Sequence, residues 1–114
     1  MQPLFTNMQE IVIRARDVDA AATRLGEVFD GPVDGRQIEP LEGIEIVQRG
    51  VWIGNERIAI VGDLHEAGPV AKALARHGEG MHEICVRTRD LARAIAHFKE
   101  KGVRLTRDTP YVLK

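Results

Sequence analysis

One stretch of this chain occurs twice. Met8–Leu25 (MQEIVIRARDVDAAATRL) aligns without a gap on Met81–Phe98 (MHEICVRTRDLARAIAHF), offset by 73 residues. Seven of the eighteen positions are identical: Met8/Met81, Glu10/Glu83, Ile11/Ile84, Arg14/Arg87, Arg16/Arg89, Asp17/Asp90 and Ala21/Ala94. Most of the rest exchange like for like, as in Ile13/Val86, Val18/Leu91 and Leu25/Phe98. The offset exceeds the period of most solenoid repeats, so the chain reads as two copies of a half-domain.

Each copy carries the same local plan. Glu10–Arg14 and Glu83–Arg87 are short β-branched runs, hence strands. Alternation puts Ile11 and Ile13 on one face and Glu10, Val12 and Arg14 on the other; Ile84 and Val86 likewise oppose Glu83, Cys85 and Arg87. Asp17 and Asp90 are placed to accept hydrogen bonds from the first free N–H groups of a helix. Apolar residues then recur at helical spacing over Val18–Phe29 and Leu91–Lys101. Gly31 and Gly102 suit the helix ends, because glycine tolerates the left-handed conformation. The isoleucine face of each strand is expected to pack on its helix, with the Glu/Arg face pointing away.

Three further strand candidates follow the first helix: Val33–Glu39, which is the weakest, then Gly43–Ile53 and Arg57–Gly62, with a hairpin turn at Gly54-Asn55-Glu56. That completes a βαβββ unit. Pro69 opens a short helix over Val70–His77 in the connection between the copies. The second copy continues only through a strand candidate at Val103–Arg107 and on to Lys114. The expected fold class is α+β, with tandem βαβββ modules forming a cup-shaped mixed sheet and the second module truncated. The domain plan is one domain over 1–114: module one 8–62, linker 63–80 and partial module two 81–114. An unfinished sheet leaves edge N–H and C=O groups unpaired, so a second copy of the chain is expected to cover them.

Composition narrows the partners. Sixteen basic side chains against seventeen acidic ones give a net charge of −1. That balance offers no electrostatic reason to expect nucleic acid or an anionic membrane. The single cysteine, Cys85, excludes an intramolecular disulfide and a cysteine-based zinc cluster, and it fits a reducing cytoplasm. No apolar run is long enough to span a membrane, and the first residues have no secretory pattern. Neither a glycine-rich phosphate loop nor a Ser-His-Asp arrangement is present. The expected partner is a small molecule.

The linker and second copy carry a narrower pattern: Gly78-Glu79-Gly80-Met81-His82-Glu83-Ile84, then Arg89-Asp90-Leu91, Lys101-Gly102-Val103-Arg104-Leu105 and Asp108-Thr109-Pro110. With the tandem βαβββ plan, it resembles the glyoxalase / bleomycin-resistance / dioxygenase (vicinal oxygen chelate) superfamily, and within it the methylmalonyl-CoA epimerases. The resemblance implies a cup of eight strands, dimerisation, and one divalent metal held by four side chains that stabilises an enolate-like intermediate. Carried over position by position, the first ligand falls at Glu10, where the family has His or Gln. The second falls at Ala59, where it has Gln or Glu. The third falls at Glu83, in place of the second His of a His-His pair. The fourth is a Glu on the last strand, which has no counterpart in this sequence.

Glu10 and Glu83 are therefore the candidate catalytic residues and the candidate metal ligands, set against a structural reading in which they form salt bridges with Arg14 and Arg87 along the same strand faces. Arg14, Arg87, Trp52 and Cys85 are candidate ligand-binding residues: the arginines for an anionic group, Trp52 for an apolar one, and Cys85 as a cleft-facing thiol that is more simply a packing residue. His82 alternates away from Glu83. Ala59 cannot ligate a metal. The expected function is consequently a cup that binds a small apolar or acyl-thioester-like molecule without the usual metal. The alternatives are a metal-dependent epimerase or lyase with an atypical carboxylate site, and a non-catalytic fragment or subunit completed by a second chain.

Overall fold

A computed structural model describes residues 2–41, 43–65, 68–107 and 109–110. Its elements in chain order are β1 (Phe5–Arg14), α1 (Val18–Phe29), β2 (Gln37–Leu41), β3 (Ile44–Ile53), β4 (Glu56–Asp63), α2 (Pro69–His77), β5 (Gly80–Thr88) and α3 (Leu91–Glu100). The five strands form one mixed sheet in the order β2-β3-β4-β1-β5. β1 runs parallel to β4 and antiparallel to β5, and the remaining pairs are antiparallel. The architecture is thus α+β: one complete βαβββ module followed by the first strand and helix of a second.

The duplication is visible at the helix starts. Asp17 accepts a hydrogen bond from Ala20 N at 3.0 Å, and Asp90 accepts one from Arg93 N at 3.1 Å. Each carboxylate satisfies an N–H that the first helical turn leaves free. The end of α1 differs from expectation. Asp30, not Gly31, takes the left-handed conformation (φ 51°, ψ 44°), which a short polar side chain tolerates. Gly31 is needed for space instead, since any Cβ there would strike the Trp52 carbonyl. Gly102 has the positive φ expected of it.

The sheet is covered on both faces in module one. Against α1 lie Val47, Val51 and Ile60, packed with Ala15, Val18 and Ala22. On the opposite face Val12, Ala59 and Val61 pack against Val70 and Leu74 of α2. The expectation that only the isoleucine face of β1 is buried is therefore corrected, because α2 folds back over the other side. Asp63 anchors that helix from the end of β4 by accepting a hydrogen bond from Ala71 N at 2.6 Å. It stands in for the helix cap, since Gly68 has no side chain to offer.

Module two is open by comparison. α1 covers β3 and β4, and no corresponding strands lie under α3 among the described residues. Ile84 and Val86, expected to pack on α3, remain 53% and 47% exposed. α3 docks at the far end of β1, where Phe98 stacks on Phe5 with ring centroids 5.3 Å apart and Ala94 is buried. Val103–Arg107 is not a strand, and no neighbouring strand lies where it could pair. Asp108 and the last four positions of partial module two lie outside the described residues. The weak candidate at Val33–Glu39 resolves into a single bridge, Val33 to Val51, with the strand displaced to Gln37–Leu41.

Candidate functional site

Register decides which side chains share the concave face. Glu10 stands opposite Arg57, and Arg57 stands opposite Trp52, so three adjacent strands present them side by side. Gln48 and Gly50 continue that face on β3. The face is not closed by α2 at this end. A cleft of about 760 Å³ lies at this end of the sheet, lined by Glu10, Arg57, Trp52 and Arg87 and also by Met8, Ile53 and, from the other face, Ile11 and Ile58.

Arg57 organises the polar end. Its Nη1 donates to Glu10 Oε2 at 2.7 Å and to Gln48 Oε1 at 3.4 Å, and its Nε donates to Asp34 Oδ2 at 3.0 Å. The Trp52 indole N–H donates to the other Asp34 oxygen at 3.0 Å, which fixes the ring against the same cluster. Only 16% of the Arg57 side chain is exposed. Burial alone would lower its pKa, but the hydrogen bonds and charges of Glu10 and Asp34 outweigh it and raise the value, so the guanidinium is permanently charged. The stem reaches this position because β3 has glycine beneath it: a Cβ at Gly50 would collide with the guanidinium.

The candidate residues separate into three groups. Glu10 and Trp52 are in the cleft, and Arg87 is exposed on its wall. Glu83 is exposed on β5, one face-neighbour along from Cys85, which stands opposite Glu10. Arg14 lies at the other end of that face, away from the cleft. Its Nε donates to the Gly78 carbonyl at 2.7 Å and its Nη1 to the Met81 carbonyl at 2.5 Å, tying the end of α2 to β5. The salt-bridge row imagined along β1 is thus replaced by a bond across strands, Glu10 to Arg57. Cys85 packs against the Val12–Val70 cluster. Burial, with the charges of Glu83 and Glu10 adding to it, pushes its thiol up to about 11.

Arg57, Asp34 and Gln48 are the residues that sequence reasoning missed. Arg57 had a signal: period-two alternation puts it on the same face as Ala59, the position the family resemblance gives to the second ligand. Asp34 had none, since it lies in the irregular segment between α1 and β2.

The profile of the Glyoxalase/Bleomycin resistance protein/Dioxygenase superfamily matches residues 9–113. The chain belongs to that superfamily. Among curated proteins this superfamily member is 27% identical over 99 residues to the ethylmalonyl-CoA/methylmalonyl-CoA epimerase of Cereibacter sphaeroides, covering 86% of this chain and 72% of that protein. Among solved structures it matches a Streptomyces coelicolor methylmalonyl-CoA epimerase variant in complex with 2-nitronate-propionyl-CoA (TM-score 0.77, 26% identity, 94% of this chain and 79% of that one). It also matches the Mycobacterium tuberculosis methylmalonyl-CoA epimerase (TM-score 0.79, 24% identity, 96% and 73%).

The divalent metal implied by the family resemblance does not fit the donors of this superfamily member. Position 59 is alanine, Glu10 already accepts from Arg57, and no group of three or more His, Cys, Asp or Glu side chains is arranged to hold a metal ion among the described residues. No helix among the described residues is long and apolar enough to cross a membrane.

Proposed function

We propose that this domain binds a small acyl-thioester-like molecule in its cup and does so without the divalent metal. The observation that carries this reading is the cleft, which places apolar side chains beside an ion-paired guanidinium and a tryptophan bonded to the same carboxylate. Such a site suits a ligand with an apolar acyl group next to one carbonyl, since apolar walls supply affinity and a few fixed polar groups supply orientation. Arg87, exposed on the wall, is suited to an anionic portion of the same molecule. The likeness to acyl-CoA epimerases supports the thioester class. Trp52 is the only tryptophan, so its fluorescence reports directly on the cleft. Titration with propionyl-CoA should give saturable quenching of that signal, weakened in Trp52→Leu by calorimetry. A linear, unsaturable response would end this reading.

The 27% identity to an epimerase favours one second reading, in which Glu10 and Glu83 act as proton-transfer groups on a methylmalonyl-CoA-like substrate. Proton exchange at the carbon between the two carbonyls, followed by NMR in deuterated water, tests it; exchange must be lost in Glu83→Gln. We further infer a homodimer joined at the open edge of β5, supported by the exposed apolar residues Ile84 and Val86. A cytoplasmic setting fits the lone free cysteine.

A further inference from the structure

We propose that the Arg57 guanidinium is the cup's resident cation, seated among three side-chain oxygens where a metal would otherwise sit, and that it offers its remaining N–H groups to a neutral carbonyl oxygen of the ligand. The carbonyl half rests on the binding reading above; the cation half does not.

Three observations converge. First, Arg57 is held as a cation is held, by Glu10 Oε2, Gln48 Oε1 and Asp34 Oδ2, from three different parts of the chain. Oxygen donors of this kind also suit a hard divalent ion. Second, one of those donors is the carboxylate at the first ligand position, and Ala59 at the second lies two residues from Arg57 on the same face of β4. Alanine at 59 offers no oxygen donor and arginine at 57 brings a positive charge, and both disfavour a divalent cation at this place. Third, glycine at position 50 clears the space the guanidinium occupies.

The bonding leaves a specific capacity. Nε and Nη1 are engaged, and Nη2 has no hydrogen-bond partner among the described residues. The cluster of one guanidinium and two carboxylates is net negative, which opposes a second anion and favours a neutral acceptor. A thioester carbonyl meets that requirement.

The test has two arms. In the first, Mn²⁺ binding is followed by electron paramagnetic resonance on the parent protein, Arg57→Ala and Arg57→Ala/Glu10→Gln, each checked for folding by circular dichroism. The parent should show no stoichiometric binding. Arg57→Ala, which uncovers the three oxygens, should gain at least about tenfold in affinity and a rise in melting temperature with Mn²⁺. The double variant should lose both. Tight binding of one Mn²⁺ by the parent, abolished by Glu10→Gln, would overturn the proposal, and that measurement needs no Arg57 variant to fold. A folded Arg57→Ala with no gain would overturn it too. In the second arm, propionyl-CoA is compared with the propyl thioether of CoA, which lacks the carbonyl. The parent should prefer the thioester by about tenfold, a charged hydrogen bond's worth, and Arg57→Gln should lose the preference. Equal affinities in the parent would overturn the carbonyl half. Failure of both compounds to bind would overturn it together with the binding reading, and the Mn²⁺ arm would still decide the role of Arg57.

Discussion

At the scale of single residues, the polar end of the cup depends on a missing side chain as much as on those present. Gly50 gives Arg57 its room, so Gly50→Ala should displace the guanidinium and break its bonds to Glu10 and Asp34. A methyl group forced into an occupied space costs about 1–3 kcal/mol, and urea denaturation should read a loss in that range. Cys85 makes a different kind of prediction. Its folded thiol ionises near 11, against an ordinary value of 9.0. Alkylation of the native protein should be slow at pH 8 and climb only as pH approaches 11. The same shift bears on stability. The unfolded chain releases this proton first as pH rises, so between about pH 9 and pH 11 it binds fewer protons than the native state, and this group's contribution falls with rising pH across that window. A native alkylation rate matching that of the urea-unfolded chain at pH 8 would contradict the burial.

At the scale of elements, two similar segments have unequal surroundings. α1 and α3 start with the same aspartate cap, but α1 packs against β3 and β4 whereas α3 meets mainly the end of β1. Helical stability comes chiefly from such packing. Hydrogen exchange should therefore protect the amides of α1 well above those of α3, and equal protection would show that α3 has a covering of its own. Arg14 secures the junction between α2 and β5 through two backbone carbonyls, and Arg14→Ala should cost about 1–3 kcal/mol in a thermal melt. These inequalities mark where the sequence was legible. Repetition, caps and alternation identified β1, α1, β3, β4 and α3 within a residue or two at most ends, because those signals are local. β1 and β5 were the exceptions, starting five and three residues earlier than the Glu10–Arg14 and Glu83–Arg87 runs. The Val103–Arg107 assignment failed because a strand needs a neighbour, which no local pattern guarantees. At the site, Glu10 and Trp52 could be assigned to the concave face from alternation alone. The Glu10–Arg57–Asp34 contact depended on β1–β4 register and on a loop conformation, and a one-residue slip in register would have put Arg57 on the other face.

At the scale of the whole molecule, the sheet is asymmetric. β2 is one edge and β5 the other, and β5 carries exposed Met81, Ile84 and Val86 beside its unpaired outer edge among the described residues. Association of two copies along β5 would cover both. Sedimentation at micromolar concentration should show a dimer, and Val86→Lys, which puts a charge on that strand, should shift it to monomer with the circular dichroism spectrum unchanged. A monomer at all accessible concentrations would count against the homodimer.

The position of β1 has a consequence in time. It is the first strand in the chain, yet in the sheet it lies between β4 and β5, both of which are encoded far downstream. During synthesis, β1 leaves the ribosome with neither ladder partner yet made. It must wait as an unpaired apolar strand until β4 and then β5 follow. Contacts so distant in sequence slow folding, so refolding of this chain should be slower than for a helical protein of its size.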